Sequence, residues 1–151
     1  MSTKKDYIVN PYVFFGGKAE EAVEFYRTAL GAEVIIMMRY KDAPKCDPPA
    51  GAPAMQFPPN WESKIMHGMI KIGNSFILLS DGCGEKHGMD GFSLSLTTAS
   101  PAEAEGAFAA LAKGGKVTMP LGKTFFSPAF GMVEDKFGLG WMVYVEGQKP
   151  S

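Results

Sequence analysis

The chain has 151 residues, 46% of them hydrophobic and 21% charged, with fifteen basic residues against sixteen acidic ones. That size and balance suit one compact domain or two small modules. The near-neutral charge offers no basic stripe for nucleic acid, and no run of about 18 apolar residues is present to cross a bilayer.

Met1-Ser-Thr-Lys-Lys-Asp is polar with no apolar segment behind it, so it does not read as a signal peptide. Cys46 and Cys83 lie in separate loops without metal-ligand spacing, as expected of reduced thiols in a cytoplasmic protein.

In chain order, "YVFF" (12–15) predicts a first strand. Ala22, Phe25, Tyr26, Ala29 and Leu30 then follow at i, i+3, i+4, i+7 and i+8, one apolar stripe of a helix. Gly31 stands where a left-handed residue would end it. "EVIIMMRY" (33–40), "IMHGMIKI" (65–72) and "SFILLSD" (75–81) predict three more strands. Between the first two of these, residues 41–62 hold six prolines and cannot be a helix or an interior strand. Met55, Phe57 and Trp61 in that loop suggest a flap that covers something apolar.

Residues 82–91 form a glycine-rich linker, in which His87, Glu85 and Asp90 read as a solvated cluster. "FSLSLTT" (92–98) predicts the next strand. Ser100-Pro101-Ala102-Glu103 reads as a capping box with proline at the first helical position. The stripe Ala104, Ala107, Phe108 and Leu111 continues that helix until Gly114-Gly115. "KVTMP" (116–120), "AFGMVED" (129–135) and "GWMVYVE" (140–146) complete the chain.

The two halves repeat. With a shift of 83, Ala19, Glu20, Phe25, Ala29, Gly31 and Val34 coincide with Ala102, Glu103, Phe108, Ala112, Gly114 and Val117. Each half reads strand–helix–strand–strand–strand: module one over 7–81 and module two over 91–147. The expected fold is α+β, with two βαβββ modules forming a curved mixed eight-stranded sheet around a cavity.

These paired modules resemble the vicinal oxygen chelate superfamily of glyoxalase I, bleomycin-resistance proteins and extradiol dioxygenases. "MQFP" (55–58), "IMHGMIKIGNSFILLSD" (65–81), "GGKVTMPL" (114–121) and "GMVEDKFGLGWMV" (131–143) are similar to its PhnB-like branch, over residues 8 to 146. The resemblance implies a small-molecule ligand and a homodimer. A ubiquinone-methyltransferase label is common in this branch, but no glycine-rich G-x-G turn follows a strand here to cradle that kind of cofactor.

Metal-using relatives draw ligands from the first and fourth strands of each module. The matching positions here are Pro11, Leu78, Ser93 and Met142, and sliding each by one residue brings no carboxylate or imidazole. No metal or cofactor is therefore expected. The leading expectation is a small-molecule-binding protein lacking the usual metal site. The alternative is a lyase, isomerase or dioxygenase using His67 or an unrecognised metal arrangement, in which a divalent metal would return.

His67 shares a strand face with Met69 and Lys71, opposite Met66, Ile70 and Ile72. It is the candidate catalytic residue, as a general base or an orienting hydrogen bonder. Ser80, Ser93, Phe125, Phe126, Trp141 and Met142 are the candidate ligand-binding residues. Each also has a plain structural reading, the aromatics as core above all.

Overall fold

The computed structural model describes residues 5–43, 51, 57–84 and 88–147. Most of the proline-rich loop lies outside them, with Met55 and Cys46, as do Glu85 and His87 of the linker. The chain divides into two compact units, with the boundary between residues 87 and 88.

Unit one runs β1 (Tyr12–Phe14), α1 (Ala19–Leu30), β2 (Glu33–Arg39), β3 (Ile65–Ile72) and β4 (Ser75–Ser80). Its sheet has the order β1-β4-β3-β2, with β1 parallel to β4 and the other pairs antiparallel. Unit two repeats the plan with β5 (Leu94–Thr98), α2 (Pro101–Ala112), β6 (Lys116–Gly122), β7 (Phe130–Glu134) and β8 (Gly140–Val145). Its order is β5-β8-β7-β6, with β5 parallel to β8. The eight strands of the expectation are thus divided four and four between two mixed sheets. Pro120 is tolerated within β6 because that strand is an edge.

Each helix covers one face of its own sheet. Ala19, Ala22, Val23 and Tyr26 of α1 are buried, one turn earlier along the stripe than its Ala29–Leu30 end. Val13, Ile70, Ile77 and Leu79 form the buried face of the sheet, and Phe15 packs its ring 6.3 Å from Tyr26. In unit two, Ala104 and Leu111 are buried with Val133, Trp141, Val143 and Val145. Gly131 lies so close beneath Phe108 of α2 that an added Cβ would come within 2.8 Å of its ring.

The helix ends differ. Ser100 caps α2 by accepting a bond from Glu103 N, while the Glu103 carboxylate accepts from Ala99 N at 3.1 Å. The residue before α1 is Lys18, whose side chain makes no capping bond. Asp81, at the end of β4, takes over that role. Its Oδ1 accepts from Gly17 N and Ala19 N, and its Oδ2 from Ile65 N, all at 2.8 Å. One buried carboxylate therefore joins the start of the helix to the start of β3 and the end of β4. Gly31 ends α1 in the left-handed region at φ 69°.

A second carboxylate fixes the stretch "DKFGLGW". Asp135 Oδ1 accepts from Phe137 N at 2.9 Å and Leu139 N at 3.1 Å, which folds the turn between β7 and β8. Its Oδ2 accepts from the Trp141 indole at 2.9 Å. The most specific phrase in the sequence thus has a structural cause: one aspartate shapes the turn and anchors the tryptophan beyond it.

Candidate functional site

The strand register decides which side chains occupy the face of each sheet turned away from its helix. In unit one, Tyr12 stands opposite Leu78, Met69 opposite Leu78 from the other side, and Met38 opposite His67. Tyr12, Phe14, Ile36, Met38, Phe76 and Leu78 therefore share this open face with His67 and Met69. Five of them are large apolar groups more than a third exposed: Tyr12 at 41%, Phe14 at 43%, Ile36 at 37%, and Met38 and Phe76 at 36%.

His67 lies on this face as its alternation predicted. Its Nδ1 is 3.3 Å from the Tyr12 hydroxyl, and the two rings stack with centroids 6.0 Å apart. Phe14 extends the aromatic surface, 5.1 Å from Tyr12. Tyr12 was not legible as a partner, because Tyr12 and Phe14 alternate with Val13 and Phe15 and both faces of that strand are apolar. Only the parallel pairing with β4 selects one.

Ser80 is buried, its Oγ accepting from Gly82 N at 2.9 Å and donating to Ile65 O at 3.4 Å. Its hydroxyl serves the strand end rather than the open surface. The stems of the proline-rich loop meet here as well. Tyr40–Asp42 and Trp61–Ser63 form short 3₁₀ turns, and Tyr40 Oη and Trp61 Nε1 both donate to Gly82 O, at 2.7 and 2.8 Å. Burial pushes the Tyr40 phenol above its ordinary pKa. Arg39 binds Glu20 through both terminal guanidinium nitrogens and donates to Ser63 O, and the pairing with Glu20 holds its carboxyl below the usual carboxylate range. Of the loop 41–62 expected to act as a flap, residues 44–50 and 52–56 fall outside the described residues.

In unit two, Met142 lies on the open face between Ser95 and Met132, with Tyr144 opposite Phe130 further along. Trp141 is on the other side, 3% exposed and bonded to Asp135, so its indole belongs to the helix-covered core. Ser93 is exposed just before β5, its hydroxyl beside Gly140. Phe125 and Phe126 come together in a turn closed by Thr124 and Ser127, with Thr124 N donating to Ser127 O at 2.9 Å. Phe125 is fully exposed, and Phe126 packs edge-on between it and Phe130 at 5.0 and 5.1 Å. They line a groove of about 730 Å³ together with Lys123 and Glu146.

The positions expected to hold a metal are Pro11, Leu78, Ser93 and Met142; across the first and fourth strands, Leu78 is paired with Tyr12 and Met142 with Ser95. Pro11 lies just before β1, its carbonyl accepting from Leu78 N at 3.0 Å. A phenol, an alkyl group, a hydroxyl and a thioether do not make a donor set for a hard or borderline divalent cation. Among the described residues, no three His, Cys, Asp or Glu side chains are grouped to hold a metal. The residues at these positions do not fit such an ion.

Comparison with known proteins accounts for the architecture. Residues 8–143 match the model of the Glyoxalase/Bleomycin resistance protein/Dioxygenase superfamily. The chain belongs to that superfamily. Within it, the chain is 35% identical to protein YjdN of Escherichia coli (strain K12) over 147 residues, covering 95% of this chain and 98% of that one. The crystal structure of PA1353 from Pseudomonas aeruginosa is 37% identical, with a TM-score of 0.80 over 95% of this chain and 100% of that one. A PhnB protein from Bacillus cereus is 26% identical, with a TM-score of 0.71 over 91% and 98% of the two chains. The superfamily assignment and the PhnB- and YjdN-like character agree with the phrases at 65–81 and 131–143. Among the described residues, no helix is long and apolar enough to cross a membrane.

Proposed function

We propose that this chain binds a planar, largely apolar small molecule on the open face of its first sheet, without help from a metal ion. The observation that carries this reading is the concentration of half-exposed Tyr12, Phe14, Ile36, Met38 and Phe76 on a single sheet face. A contiguous apolar patch of this kind marks a surface that something covers. Aromatic rings and flexible methionines suit a flat ligand, through stacking on one side and adaptable packing on the other.

Isothermal titration of chelator-treated protein with a panel of planar aromatic compounds tests the reading. Saturable one-to-one binding is expected, accompanied by a rise in melting temperature, and Tyr12→Ala should weaken it about tenfold or more. No thermal shift across the panel, or binding that appears only after a divalent metal is restored, would contradict it.

The same reading takes the protein as a cytoplasmic homodimer. Cys83 is a free thiol, which suits a reducing compartment. Tyr7, Ile8 and Val9 are 78%, 84% and 93% exposed, an apolar segment that a second copy would cover. Sedimentation equilibrium should give twice the 16.3 kDa chain mass, and a value equal to the chain mass would rule the dimer out.

A further inference from the structure

We infer that the Tyr12–His67 pair selects, among planar apolar molecules, those that carry a phenol-type hydroxyl. This rests on the binding face proposed above and names the chemistry that the face recognises.

The pair is a polar feature set among apolar neighbours. Met38 stands opposite His67 on the adjacent strand, Met69 is two residues further along β3, and the Phe14 ring packs at a tilt beside Tyr12. The 3.3 Å contact between Tyr12 Oη and His67 Nδ1 occupies one ring nitrogen and leaves Nε2, on the far side of the imidazole, for a ligand. Two proton arrangements are open to the pair. If the phenol donates to Nδ1, then Nε2 carries the hydrogen and donates outward. If Nδ1 carries the hydrogen and donates to the phenol oxygen, Nε2 accepts.

A hydroxyl satisfies both arrangements, because it is donor and acceptor at once. A carbonyl oxygen satisfies one, and a hydrocarbon satisfies neither. When a flat ligand covers the face and excludes water, an unmatched imidazole nitrogen is left without a partner, and that penalty is the source of the discrimination. The ring stacking of Tyr12 on His67 holds the imidazole in place before the ligand arrives.

The test compares 2-naphthol with naphthalene on the chelator-treated full-length protein and on His67→Phe, by fluorescence or calorimetric titration at neutral pH. The parent should bind 2-naphthol about tenfold more tightly than naphthalene. His67→Phe should abolish that preference, read as the ratio of the two affinities measured on the same variant. Tyr12→Phe, which removes only one oxygen, should reduce the preference with an unchanged circular dichroism spectrum, and it serves as the readout if His67→Phe does not fold. Equal binding of both compounds by the parent, or an undiminished preference in the folded variants, overturns the role of the pair while leaving the binding face intact. Failure of both compounds to bind overturns the binding face and this inference with it.

Discussion

Replacing Asp81 with Asn is expected to destabilise unit one by on the order of 3 kcal/mol. The two residues have the same shape, so the effect comes from hydrogen-bond polarity alone. Both carboxylate oxygens of Asp81 only accept: Oδ1 from Gly17 N and Ala19 N, and Oδ2 from Ile65 N. An amide must turn its NH₂ toward one of these groups of backbone donors. One orientation leaves Ile65 N–H facing another donor, and the other does the same to both Gly17 and Ala19. The site is 2% exposed, so water cannot repair the mismatch. The substitution also removes a negative charge from the N-terminus of α1, where it is favoured. For a chain of this length the loss corresponds to a melting temperature about 6–12 °C lower. Thermal denaturation followed by circular dichroism measures it. A variant as stable as the parent would mean that α1 is held by packing alone.

Gly115→Ala is the second large effect, expected to cost about 3 kcal/mol. Gly115 follows α2 and immediately precedes β6. A Cβ placed there would overlap the Glu134 carbonyl oxygen and lie 2.9 and 3.0 Å from Asp135 C and Cα. These are backbone atoms, so no side-chain rotation relieves the overlap. The strand end must move, and with it Asp135, on which the turn and Trp141 depend. Gly106 provides the contrast. It sits on the exposed side of α2 with nothing within 4 Å of an added Cβ, so Gly106→Ala should stabilise by about 0.5–1 kcal/mol. Urea denaturation of the two variants should therefore shift in opposite directions. A Gly115→Ala protein with the parent midpoint would contradict the close approach of the chain at that point.

The sequence makes some of this architecture readable and hides the rest for definable reasons. Both helices were legible because their signals are local. The stripe of α1, the Ser100–Glu103 box and the terminal glycines each act within a few residues. His67 was placed correctly on its strand because Met66, Ile70 and Ile72 define the opposite face. Asp81 was not legible as the cap of α1, since the amides it binds at Gly17 and Ala19 precede it by 64 and 62 residues. Trp141 and Met142 posed a problem of phase. In "GWMVYV" both alternating sets are apolar, so period alone cannot decide which set meets the helix. The decision comes from Asp135, whose second oxygen draws the indole into the core. Tyr12 was obscured in the same way, and only its register with Leu78 places it beside His67.

The most direct test of metal-free binding on the first sheet is a ¹⁵N–¹H correlation spectrum of chelator-treated protein titrated with 2-naphthol. Metal-free binding there should give shifts concentrated at the amides of 12–14, 66–69 and 76–79, saturating without added metal. Shifts confined to the groove around Phe125 and Phe126, or none until a divalent cation is supplied, would contradict it.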